Sequence, residues 1–224
     1  MQRVALCACR GGTPPITQRR RLALKIAIGK GDREMNAEIE MKGQAVRQYI
    51  SVFEDLKGEA ALSAIIESVE NSEFRELLAD RQILASGWYP VAWMNEFLEK
   101  ALEAHPDTPD LPERIGYASA DRNIRGIYRF LAQFLSPEMC IKQVPRMWKV
   151  YMRGIKVEAE VNAPRQATLR FHGIGPSRLT WRAMLDGGAR RIFESSGAKN
   201  IKVNITSGGI ERSSLTTVDV RWTA

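Results

Sequence analysis

Few side chains in this sequence have a type and spacing that chemistry uses, and each also has a structural reading. The 224 residues include two histidines and three cysteines. His105 precedes Pro106 at the predicted end of a helix, where the dipole favours a cation, so a structural or surface role outweighs ligation. His172 alternates with apolar strand positions and belongs beside Arg170 on a polar sheet face. Cys7 and Cys9 are separated by one residue, short of the two-to-four-residue gap of zinc knuckles, and no second Cys or His pair follows. Cys140 lies one turn from Val144 in a predicted helix, where a lone buried thiol acts as a small hydrophobe. A reactive or acylated thiol is the alternative. Gly173-Ile174-Gly175-Pro176 and Gly208-Gly209 lack a full phosphate-loop pattern and read as turns. The sequence therefore predicts no catalytic residue, no metal site and no enzyme.

Aromatic surface is what the chain has in supply, with five Trp, five Tyr and seven Phe. Trp88, Tyr89, Trp93, Phe97, Tyr128, Phe134, Trp148 and Trp181, together with Cys140, are candidates for lining a ligand pocket. They fall on the apolar stripes of predicted elements, so core packing explains them equally well. Arg190-Arg191 and the tryptophans interspersed with basic residues fit a solvated helix face and a core better than a stacking surface for nucleic acid.

Positioning these residues falls to a run of helices followed by strands. From Glu40 the pattern is helical, with Val46, Ile50 and Phe53, and it resumes after Gly58 with Leu62, Ile65, Ile66 and Val69. Phe74, Leu77 and Leu78 form a further apolar group. Gly87 to Pro90 reads as a turn, with Pro90 opening a helix through Trp93, Phe97, Leu98 and Ala101 that ends near His105. Residues 106 to 119, with Pro106, Pro109, Pro112 and Gly116, read as loop. A helix carrying Ile124, Ile127, Tyr128, Leu131, Phe134 and Leu135 follows. Ser136-Pro137 then opens another, with Val144, Met147, Trp148 and Tyr151 on its apolar face and an interruption expected at Pro145.

After Gly154 the period changes to two. Val157, Ala159 and Val161 pair across a turn with Leu169 and Phe171 as a hairpin with one dry face. Leu179 to Ser195 reads as a helix capped by Gly197, with Gly188 placed for close approach to a sheet. Ile201, Val203 and Ile205, then Val218, Val220 and Trp222, mark two closing strands. The expected fold is α+β: N-terminal helices followed by β-β-α-β-β, a four-stranded antiparallel sheet with helices on its apolar face.

Charge divides the chain more sharply than the net +7 suggests. Residues 1 to 34 hold eight basic and two acidic groups, residues 35 to 113 hold six and sixteen, and residues 114 to 224 hold nineteen and eight. The first segment reads as a disordered or mis-annotated basic extension. Residues 35 to 224 read as a single ligand-binding-like domain of opposed halves, suited to a homodimer or a signalling partner, with no polyanionic partner implied. Mean hydropathy is −0.27 and no apolar run approaches the roughly 18 residues of a membrane span. Sparse cysteine fits a cytoplasmic protein.

Several of these residues together carry a resemblance. Lys42-Gly43, Gly87-Trp88-Tyr89-Pro90, Gly187-Gly188-Ala189 and Val218-Asp219-Val220-Arg221-Trp222 resemble an uncharacterised paralogous family found mainly in myxobacteria, over roughly residues 40 to 223. By element order that family is similar to the superfamily of haem-nitric-oxide-binding domains, 4-vinyl-reductase-type domains and Golgi transport-complex subunits. The resemblance implies an α+β module, often dimeric, with a cavity for a small or lipid-like ligand between sheet and helices. Haem is not expected. Tyr117-Ala118-Ser119-Ala120-Asp121-Arg122 has one residue too many for the Tyr-x-Ser-x-Arg propionate motif and follows His105 by only twelve positions. The cysteine cluster of some vinyl-reductase-type domains is absent too.

Overall fold

A computed structural model describes residues 39–125, 136–209 and 213–223. Strand β1 (Glu40–Lys42) leads into α1 (Gly43–Lys57), α2 (Glu59–Ser68) and α3 (Ser72–Ala79). Strand β2 (Trp88–Pro90) then precedes α4 (Val91–Ala104), α5 (Leu111–Arg125) and α6 (Pro137–Tyr151). The C-terminal part holds β3 (Met152–Arg153), β4 (Lys156–Ala163), β5 (Gln166–His172), a long helix α7, β6 (Lys199–Ser207) and β7 (Leu215–Thr223). Helix α7 comprises an α-turn (Arg178–Trp181), a π-helical stretch (Arg182–Ala189) and a closing α-segment (Arg190–Ser195).

Local signals account for most boundaries. In α1 Val46, Tyr49, Val52 and Phe53 are buried at helical spacing, and Gly58 at φ +92° turns the chain into α2. The Asn71 side chain accepts from Phe74 N at 2.8 Å to start α3, and Ser136 Oγ accepts from Met139 N at 3.3 Å to start α6. Ser177 caps α7 in the same way, through Thr180 N. Asn95 Oδ1 on α4 accepts from Ser177 N at 3.1 Å and from Thr180 Oγ1 at 2.6 Å, which locks α4 to the start of α7.

The four-stranded sheet has the order β4-β5-β7-β6 and is antiparallel throughout. Its inner face buries Val157, Leu169, Phe171, Val218, Val220 and Trp222 beneath Trp181 and Phe193 of α7. A second core lies among the helices, around Phe53, Phe74, Phe97 and Ile115. The two charge-opposed halves meet within the chain. Arg182 pairs with Glu113 at 2.7 Å, Arg153 with Glu40 at 3.7 Å, and Arg122 with Asp55.

Five sequence expectations are corrected. Residues 40–42 and 88–90 are strands of a small sheet, order β2-β1-β3, where a helix start and a turn were expected, and Pro90 sits just before α4. Three-residue strands are too short to show a period. Helix α5 begins at Leu111 inside the expected loop, because Pro112 is tolerated in a first turn and Gly116 is demanded by a neighbour. Helix α6 runs unbroken through Pro145. The π-helical stretch of α7 went unforeseen. Finally, the close approach in α7 is made by Gly187, and against helix α5, whereas Gly188 has no atom within 3.4 Å of its would-be Cβ. The segment 1–34 and residues 126–135 lie outside the described residues.

Candidate functional site

The seven described pocket candidates fall in separate places. Trp88 on β2 is flanked by the Lys42 ammonium at 4.5 Å and the Arg153 guanidinium at 3.9 Å from its ring centre, a cation–π sandwich at the small sheet. The Tyr89 hydroxyl accepts from Leu84 N at 2.8 Å while its ring leans on Trp93. Trp93 stacks on Phe74 with centroids 5.1 Å apart, and fully buried Phe97 meets Phe53 edge-on at 5.4 Å. Tyr89, Trp93 and Phe97 belong to the helical core or pack against it, whereas Trp88 sits at the small sheet. Tyr128 and Phe134 lie outside the described residues.

Trp148 and Trp181 come together elsewhere, where the helices meet the sheet, and Cys140 belongs to the same sheet-side core. Trp148 on α6 borders both cores. It packs on Phe171 at 4.8 Å and on Trp181 at 6.0 Å with rings 24° apart, and Phe171 meets Trp181 at 5.0 Å. Neither indole N–H has an acceptor: Trp148 Nε1 and Trp181 Nε1 are buried without a hydrogen-bond partner. Leaving a donor unpaired in an apolar interior costs about 1–3 kcal/mol, so two in one ring cluster are a sizeable debt. The pyrrole edge of Trp181 lies against Gly175, where a Cβ would stand 2.9 Å from Nε1. Cys140 is buried in the same core near the end of α7, and burial raises its thiol pKa despite a hydrogen bond with Ser196. That disfavours the thiolate and agrees with a packing role.

Helices α5 and α7 close the junction at backbone distance. A Cβ on Gly116 would lie 1.7 Å from Ala183 O, and one on Gly187 would lie 2.3 Å from Glu113 O. The π-helical stretch lies at this contact. On its outer side runs a groove of about 750 Å³ that sequence reasoning did not find. Its walls carry Glu113, Tyr117 and Ala118 from α5 and Asp186, Arg190 and Glu194 from α7, and its border is Ile201 to Asn204 of β6. Tyr117 donates its hydroxyl to Glu194 at 2.7 Å, and that bond, ahead of burial, raises its pKa. Arg182 holds Glu113 through two bonds of 2.7 and 3.0 Å. Asp186 is half-buried without a hydrogen-bonding partner among the described residues, and its pKa is raised first by burial and then by the charge of Glu113. The only sequence trace of this site is an aspartate followed by two glycines inside a helix.

No protein-family model matches the chain, and no curated protein does. Solved structures similar to it include H-NOX proteins. The Fe(II) unliganded H-NOX protein of K. algicida is 15% identical, with 82% of this chain and 97% of that chain covered at a TM-score of 0.60. A variant of T. tengcongensis H-NOX is 14% identical, with 82% and 98% covered at 0.61. An oxygen-binding H-NOX domain related to soluble guanylate cyclases is 13% identical, with 82% and 96% covered at 0.59. The chain thus has an H-NOX-like α+β fold.

One similar structure concerns heme distortion in the H-NOX family and another heme redox potential, which raises the fit of such a group here. His105, at the end of α4, stacks on Phe53 with centroids 5.8 Å apart. His172 pairs with Glu158 at 3.2 Å on the outer face of the sheet. His105 packs within the helical core, and His172 alternates to the sheet face opposite Phe171, so neither imidazole is turned towards the Trp148–Phe171–Trp181 rings. The two histidines do not fit a haem held at this junction.

Proposed function

We propose that this chain is a non-enzymatic sensory or small-molecule-binding domain whose ligand site is the Trp148–Phe171–Trp181 junction. The two unpartnered indole donors are the observation that supports it. A small, largely apolar molecule with a hydrogen-bond acceptor, a carbonyl or an ether oxygen, would pair with a stranded donor on parting these packed rings. The H-NOX-like fold agrees with a ligand between helices and sheet, and haem is not part of the reading. The site has no activated nucleophile: the Cys140 thiol is held protonated by burial.

Native mass spectrometry of the full chain purified under mild conditions tests the reading. The expected result is an adduct mass in the wild type that is lost in Trp181→Phe, which keeps the ring stack and removes the donor. A ligand-free wild-type mass, together with no thermal shift across a library of apolar carbonyl compounds, overturns it.

A further inference from the structure

The groove beside β6 has a geometry that the interior site does not explain. Four consecutive residues, Ile201, Lys202, Val203 and Asn204, border it. Successive strand side chains point to opposite sheet faces, so residues of both parities line one groove only when it runs along the strand's edge. Among the described residues β6 pairs with β7 alone, so its other side offers unused N–H and C=O groups. Register shifts between Lys199 and Lys202 and between Ile205 and Ser207 bound a regular run from Lys202 to Ile205.

We propose that this edge accepts an extended peptide of a partner protein, added as a fifth strand, with a lysine or arginine of that peptide set against Asp186. Main-chain pairing supplies the affinity and the cation supplies the selectivity. Arg182 and Arg190 lie close enough for their charges to act on Asp186, but among the described residues neither bonds to it. Arg182 is committed to Glu113, Arg190 is drawn to Glu194 at 3.8 Å, and Lys202 alternates onto the outer sheet face. Arg114 stands exposed at the mouth. A second copy of this chain fits the edge poorly. Two-fold pairing of β6 with β6 sets both copies' α5–α7 walls on the same face of one seam, which a lone strand avoids. The proposal stands apart from any ligand at the tryptophan junction.

The test uses the full chain and three fluorescein-labelled peptides of alternating threonine and valine. One has a central lysine, one a central norleucine, and one keeps the lysine but is N-methylated at alternate residues. Fluorescence anisotropy is expected to show binding of the lysine peptide, about fivefold weaker binding of the norleucine peptide, and none of the methylated one. Hydrogen exchange over residues 201–205 slows when the lysine peptide binds. Asp186→Asn brings the lysine peptide down to the norleucine level. Equal binding of the methylated peptide, no binding at about 1 mM, or a lysine preference that survives Asp186→Asn overturns the proposal. A concentration-dependent dimer with residues 201–205 protected overturns it in favour of self-pairing. If the Asp186 variant fails to fold, the three peptides on the wild-type chain decide.

Discussion

Trp93 stacks on Phe74 at 5.1 Å and Trp181 meets Phe171 at 5.0 Å, so the helical core and the sheet-side junction pack aromatic rings at similar separations. They differ in what surrounds the rings. The helical core is apolar side chain against apolar side chain, among which Phe53 and Phe97 are fully buried. At the junction two indole donors are stranded, and the adjoining helices touch through glycine and carbonyl atoms. A core of the first kind is specified by area and volume and tolerates conservative exchange. A junction of the second kind is specified by backbone proximity and by direction, and it fails differently.

The sharpest contrast lies between neighbouring residues of α7 and their partner on α5. Gly116→Ala and Gly187→Ala drive a Cβ into backbone carbonyls and are expected to cost about 4 kcal/mol or to prevent folding, as read by urea unfolding. Gly188→Ala, whose Cβ finds nothing closer than 3.6 Å, is expected to be neutral or to gain up to about 1 kcal/mol from helix propensity. Equal behaviour of residues 187 and 188 removes the idea that the helices are held at backbone distance.

Ring deletion gives the next effect. Phe97→Ala in the helical core is expected to cost about 3–5 kcal/mol through transfer and cavity terms. Trp148→Phe and Trp181→Phe, in ligand-free protein, lose packing but also remove a stranded donor, for a net change within about 1 kcal/mol. A cost above about 2 kcal/mol for either exchange means that the donors are paired in solution and that the contrast with the helical core is weaker than drawn.

The smallest effect is electrostatic. Because the folded-state pKa of Asp186 is raised, the folded chain holds its proton to higher pH than the unfolded chain. Stability from this group therefore falls as pH rises from the ordinary carboxylate range through the raised value. With the carboxyl half exposed, solvent screening keeps the effect under about 1 kcal/mol. Asp186→Asn is expected to stabilise the protein by that small amount at neutral pH and by nothing at pH about 3, where the carboxyl is neutral in both states. A gain that persists in acid argues against this origin.

Legibility in the sequence follows the reach of each signal. Val157, Leu169, Phe171, Val218 and Val220 alternate over enough residues to declare the sheet, and Ser136-Pro137 carries a capping chemistry that survives in the structure. Strands of three residues such as Glu40–Lys42 have no room for a period, and their pairing is decided by partners far along the chain. Gly116 looked like loop because its purpose, room for the Ala183 carbonyl, belongs to another helix. The aromatic candidates were individually legible as buried surface. Which of them meet was not, since Trp148 and Trp181 face each other through the crossing of α6 and α7, and a crossing leaves no mark on either segment alone. Asp186, a lone aspartate on an amphipathic helix, reads as solvated until its neighbours are known.

The small sheet has a consequence for the order in which the chain can assemble. Met41 pairs with Tyr89 on one side and with Met152 on the other. During synthesis the first partner emerges after α1 to α3, and the second only when α6 has been made. The earliest strand therefore waits on a very long loop to close, and such non-local pairing is slow to form. Until Met152 arrives β1 has one open edge, and the helical core must be held by its own side chains. The small sheet is then a late clasp that joins the beginning of the helical part to the entrance of the large sheet once both exist.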